Sequence, residues 1–389
     1  MKSHMRLPLL LIATAFLCAM RTSHAAVEVR CYPPEGVWLH DIDAARQLTS
    51  AVIHNTALIN RGEDNLTVKQ ARFEVVRAGR VVASQVLSAD ALERAAQRGA
   101  RMQATGLLEA LSFQFAPQSL LGKDVRLAAT RRLSPHTALL ITSQLLVFTA
   151  PADEVRIRVG FEGTAAETVA VLPIRGDAAP RAFHFPLQGR WLIGAGATPH
   201  NHHRWTPAEE FALDISRVGA SGGTYANDGT AMRDYYGWGA SVLAAADGEV
   251  VAAVDKYPDN TKMLRGSAES IDDYRRRLFA SQDEYLAGDI AAIAGNHIVL
   301  QHSEDLYSVY AHLQHGSITV DVGRKVTAGT VLGNLGSSGN STEPHLHFHV
   351  CDAPHPLNCA GIPVRFDNIE IPWAERERQL QTGDLIETR

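Results

Sequence analysis

The stretch STEPHLHFHV at 341–350 sets His345, His347 and His349 at every second position, with Leu346, Phe348 and Val350 between them. Alternate side chains of an extended strand share a face. The spacing therefore predicts three imidazoles on one side and three apolar groups turned toward a core. Three histidines on one face also suit a solvated surface, and a His-x-His pair alone is a weak metal signal. A second segment, TPHNHHRWTPAEEFALDIS at 198–216, adds His200, His202 and His203, and puts Asp214 at the end of the apolar run FALDI. His312 in VYAHLQHG closes another apolar run. Neutral imidazole and carboxylate are suitable zinc ligands, and a catalytic zinc takes about three protein ligands and leaves a position for water. Separate parts of the chain thus offer enough ligands, with histidines to spare for proton handling.

The elements that must carry these groups read as mainly β. Residues 27–185 alternate in short apolar bursts such as QARFEVVRAGRVVASQVL (70–87) and EVRIRVGFEG (154–163), with RAGR as a hairpin turn. That spacing suggests a β-sandwich-like accessory domain. DALERAAQRGARMQATGLLEAL (90–111) has helical composition and reads as an insertion. A compact antiparallel β domain with loop and helical insertions is expected over 186–366, and a polar tail over 367–389. The insertions at 216–239 and 267–288 are expected on the surface, bordering a cleft.

With 389 residues and a 46% apolar share the chain can bury real cores, and its net charge of −5 gives no footprint for nucleic acid. The first residues pair a basic start at Lys2 and Arg6 with an apolar run from Leu7 to Met20 and a Ser23-His24-Ala25 site. This is the pattern of a cleaved signal peptide over 1–25, and the apolar run is too short to span a membrane. The mature chain, near about −8, is expected to be exported, to a periplasm, with no transmembrane segment. Of its cysteines, Cys351 and Cys359 bracket the turn-prone DAPHPLN and can bridge in an oxidising compartment, which leaves Cys31 over.

GNHIVLQH, YAHL, the GNLGSSGNST loop and PHLHFHV occur here in the order seen in the lysostaphin-type zinc metallopeptidases, and the chain resembles that family over about 190–366. The resemblance implies a groove-forming antiparallel β domain, a bound Zn2+ and cleavage of peptidoglycan peptides. It also implies that Asp214 and His347 are metal ligands and that His312 and His345 are catalytic histidines off the metal. The family's usual His-x-x-x-Asp is absent, because Glu210 stands four residues before Asp214. His203 resembles the upstream histidine of a family subset and is expected as the first ligand, with His200, His202 and Glu210 as alternatives. In this reading a zinc-activated water attacks the peptide carbonyl, and the two histidines move the proton and stabilise the oxyanion.

His349 is read as a neighbour of the site rather than a ligand, and His297, His302 and His315 as strand-edge or loop residues. Tyr310, two before His312, either lines the cleft or packs in the core. Gly336 and Gly339 are read as serving backbone geometry. Two rival functions stand beside the wall endopeptidase: a non-catalytic wall-binding activator of other hydrolases, and a protease of secreted proteins.

Overall fold

The computed structural model describes residues 27–389 apart from 177, 197, 267, 288–289 and 375–377. The expected signal peptide lies outside the described residues. Among those described, no helix is long and apolar enough to cross a membrane.

The N-terminal part is two antiparallel-rich sheets packed face to face. One holds the strands Val27–Tyr32, Leu48–Asn60 and Thr137–Thr149, the other Leu66–Arg77, Arg80–Leu87, Glu154–Phe161 and Glu167–Pro173. Alternation explains the packing: Val155, Ile157 and Val159 are buried, and they join Phe73 and Val75 of one sheet and Ile53, Leu139 and Ile141 of the other in a single core. The RAGR turn is a two-residue hairpin in which Ala78 and Gly79 both have positive φ, which matches the twist of the flanking strands. The helical insertion begins with Ala89–Ala104, capped by Ser88 Oγ accepting from Ala91 N, and continues in short turns at Leu107–Ala110, Ser112–Phe115 and Pro117–Leu120.

The C-terminal part is built on one antiparallel sheet. Its path runs Lys325–Val326, Gly248–Val254, His297–Ser303, Leu306–Ala311, Leu346–Cys351, Leu213–Ser216, Arg190–Ala195, Leu385–Thr388 and Ile369–Glu370. The last two strands belong to 367–389, so that segment completes the sheet instead of lying apart as a tail. Residues next to these two strands clasp the sandwich. Gln379 Nε2 donates to Leu39 O, its Oε1 accepts from Asp41 N, and Arg365 reaches the Asp41 carboxylate at 3.1 Å.

Leu346, Phe348 and Val350 are fully buried in the core beneath this sheet, as the alternation demands. Tyr310 packs there too, with its hydroxyl accepting from Ala245 N at 2.7 Å. It does not share the side of His312, because His312 leaves the strand with φ 61 and breaks the two-residue period. Cys351 and Cys359 form a disulfide beside the sheet, and Cys31 is a free thiol.

Candidate metal centre and catalytic histidines

Strand register assembles the centre. Asp214 pairs with His347, and His347 in turn pairs with Ala311, so three neighbouring strands place these residues on one face. His347 Nδ1 lies 3.0 Å from Asp214 Oδ1, and His203 Nε2 lies 3.5 Å from Asp214 Oδ2. The rings of His203 and His347 meet edge to face at 5.1 Å. His203 arrives from the 3-10 turn His202–Trp205, where Asn201 Oδ1 accepts from its backbone N–H.

His345 stands just before its strand. Its Nδ1 donates to Glu343 O at 2.7 Å, leaving Nε2 3.5 Å from Asp214 Oδ1. His312 donates from Nδ1 to Ser338 O at 2.8 Å, and its ring centre is 4.8 Å from that of His345. In each case the carbonyl partner fixes the tautomer and leaves Nε2 for the site. The Ser338 loop is itself tied down, since Ser338 Oγ donates to Leu313 O and accepts from Asn296 N. Gly339 has φ 74 and passes so near Gly295 that an added Cβ would sit 2.5 Å from the Gly295 nitrogen. Only glycine allows that approach.

Charge and burial compete across the cluster. Burial opposes ionisation of Asp214, yet the imidazoles of His203 and His345, with hydrogen bonds from His345 and His347, hold its carboxyl well below the usual range. Burial holds His312 well below the usual histidine range, with the neighbouring imidazoles adding to it. For His345 burial acts in the same direction, but Asp214 outweighs it and raises the pKa.

Donor atoms of His202, His203 and Asp214 lie within 4.8 Å of one another, as do those of His203, Glu209 and His347. Two imidazoles and a carboxylate, His203, His347 and Asp214, form the nitrogen and oxygen donor set that zinc accepts. His203 Nε2 faces Asp214 and the Asp214 side chain keeps 20% exposure, so the cluster is packed yet open to a ligand. The residues present fit a metal.

The alternatives fall differently. Glu210 precedes the strand Leu213–Ser216, so strand alternation does not bring it to Asp214's face. Its carboxylate pairs instead with Arg204 and His54. An uncompensated buried guanidinium would cost on the order of several kcal/mol, which commits Glu210 to Arg204 and away from a metal. His202 remains close to the cluster, while His200 is exposed at its mouth. His349 is buried with Nδ1 3.1 Å from His347 Nε2, where it orients that ring. His302 bonds Asp247 O and Ser308 Oγ, and His315 is half-exposed beside Asp255. His297 is buried with Nδ1 on Gly295 O, not at an exposed strand edge.

The cluster lines a cavity of about 350 Å³ that also includes Glu209, Leu111 and Phe113. None of these three was legible as a site residue. Glu209 lies five residues before Asp214, a spacing with no strand-face meaning, and Leu111 and Phe113 belong to the sandwich's helical insertion. Asn55 Nδ2 donates to Gln114 O and ties that insertion to the sandwich sheet.

Residues 285–359 match peptidase family M23. Among curated proteins, the chain is 38% identical over 73 residues to the peptidoglycan DD-endopeptidase ShyA of Vibrio cholerae, covering 18% of this chain and 16% of that protein. It is 28% identical over 181 residues to the cell division protein DipM of Caulobacter vibrioides, covering 43% of this chain and 22% of that one. It is 36% identical over 98 residues to the DD-carboxypeptidase/endopeptidase Mpg of Neisseria meningitidis, covering 24% and 22%. The chain thus spans less than a quarter of the length of these relatives. Among solved structures, a zinc-containing peptidase from Vibrio cholerae is 15% identical with a TM-score of 0.27, covering 86% of this chain and 84% of that one. The catalytic domain of the M23 protein EnpA from Enterococcus faecalis is 18% identical with a TM-score of 0.27, covering 46% and 92%. At those scores the superpositions carry no weight for function.

Proposed function

We propose that this chain, which carries a peptidase family M23 segment at 285–359, is a zinc metalloendopeptidase that hydrolyses peptide bonds in peptidoglycan cross-links or stem peptides. The observation that carries the reading is convergence: His203, Asp214, His312, His345 and His347 come from three separate stretches of chain and line one cavity. His203, Asp214 and His347 would hold the ion. Bound there, zinc would bring the pKa of a water toward about 7 and polarise the scissile carbonyl. His312 and His345 each turn Nε2 toward the cavity, one to accept the proton of the attacking water and the other to donate to the developing oxyanion. The carbonyls of Ser338 and Glu343 hold the two rings in place for these tasks.

Similarity to ShyA and Mpg, both named as endopeptidases, supports peptidoglycan as the substrate. Export to a periplasm is part of this proposal, and the Cys351–Cys359 disulfide is in keeping with an oxidising compartment. Similarity to DipM, named as a cell division protein, favours a second reading in which the chain binds the wall and activates other hydrolases. The complete donor set and the two spare histidines weigh toward the enzyme. Muropeptide release by purified, zinc-loaded protein tests the choice: release that disappears in His345→Ala supports hydrolysis, and activation of a partner hydrolase without zinc supports the second reading.

A further inference from the structure

We propose that the N-terminal sandwich positions the metal ligand His203 through a buried network of Arg204, Glu210, His54 and Ser50, which makes the accessory domain part of the metal site. The inference rests on His203 being a ligand. His203 sits in a four-residue 3-10 turn, His202–Trp205, whose hydrogen bonds at His203 are backbone ones: Asn201 Oδ1 accepts from its N–H and Thr206 N donates to its carbonyl. Such short turns have poor hydrogen-bond geometry, whereas a metal ligand must be held to within about 0.5 Å. Those bonds fix the backbone at His203, and packing from outside the turn has to supply the rest of the rigidity.

Arg204, the next residue, is fully buried. Its Nη1 donates to Glu210 Oε1, and its Nη2 donates to Ser50 Oγ at 3.1 Å. The other Glu210 oxygen pairs with His54 Nε2 at 2.8 Å. Ser50 and His54 belong to the sandwich strand Leu48–Asn60, four residues apart and therefore on one face. That face reaches the peptidase domain at the turn carrying His203. The guanidinium is thus pinned from two directions, by a carboxylate of its own domain and a hydroxyl of the other, and the carboxylate is pinned in turn by a sandwich histidine. A network serving only to glue the domains could lie anywhere along their contact; this one ends one residue from a ligand.

The test is zinc affinity of the full-length chain, measured by competition with a chromophoric chelator, with the d–d spectrum of the cobalt-substituted protein as a second readout. His54→Phe and Ser50→Ala each remove one sandwich partner of the Arg204–Glu210 pair, and both are expected to weaken zinc binding by up to about tenfold, the low end of the effect for partners bonded directly to a ligand, and to alter the cobalt spectrum. Glu210→Gln leaves the buried Arg204 guanidinium without its counter-charge, so it is expected to weaken zinc binding as well. If His54→Phe does not fold, Ser50→Ala, which deletes a single hydroxyl, decides alone. A lowered melting temperature with unchanged zinc affinity and cobalt spectrum would overturn the proposal and leave a domain glue. His203→Ala separates the two ideas: loss of stoichiometric zinc upholds the ligand, and full retention removes the ligand assignment and this proposal with it.

Discussion

Asp214 and His347 stand opposite each other on adjacent antiparallel strands, with Asp214 Oδ1 3.0 Å from His347 Nδ1. Because paired residues share a face, this one register fixes a carboxylate and an imidazole at ligand spacing before any loop is considered. A slip of the Leu346–Cys351 strand by one residue would turn His347 the wrong way and drive Phe348 out of the core.

His203 is expected to be the third ligand. His203→Ala should lose stoichiometric zinc by metal analysis, whereas His202→Ala, at an exposed position, should keep it. The reverse result would move the ligand one residue upstream.

His345→Ala should retain zinc yet lose about 10²–10⁴ in kcat, the usual contribution of a positioned acid–base group. Metal content and single-turnover hydrolysis of a muropeptide, measured on one preparation, check this. Wild-type turnover in the zinc-loaded variant would remove His345 from the chemistry.

Leu111 and Phe113 share the cavity with the histidines and narrow it from the sandwich side. Substrate must displace or slide past these apolar groups, at a cost on the order of 1 kcal/mol for the area exposed. Leu111→Ala/Phe113→Ala should therefore raise kcat/KM for muropeptides by up to about tenfold. An unchanged or lowered value would show that the two side chains do not obstruct entry.

His40, buried beside Ser50, gives a pH dependence. Burial, reinforced by the Arg204 charge, holds its pKa well below the ordinary value. The unfolded chain takes up this proton near about pH 6.5, so below that pH the unfolded state binds more protons and stability falls as pH falls. Above it this dependence vanishes. Melting temperatures at fixed metal loading should decline from pH 7 to pH 5.5, and less steeply in His40→Gln. Equal slopes in the two proteins would contradict the assignment.

Much of the fold is legible because it rests on local periodicity. His345-x-His347-x-His349 reads as a strand with a buried apolar face, Val155, Ile157 and Val159 read as core, and 90–111 reads as helix. What sequence could not supply is the pairing of distant segments. Ser50 and His54 look like ordinary strand residues until Arg204 is found against them, and this pairing is what removes Glu210 from the ligand candidates. Phe113 lies just past the stretch read as helical, and its place over the cavity depends on how two domains dock. Tyr310 shows the limit of alternation itself, because the positive φ of His312 ends the strand rule one residue too soon.

The central idea meets its most direct test in mass spectrometry of purified peptidoglycan digested with the zinc-loaded protein. New fragments cut at a peptide bond should appear with wild type and be absent with chelator and with His345→Ala. An intact wall after incubation with fully zinc-loaded wild type, or the same fragments from the chelated protein, would contradict it.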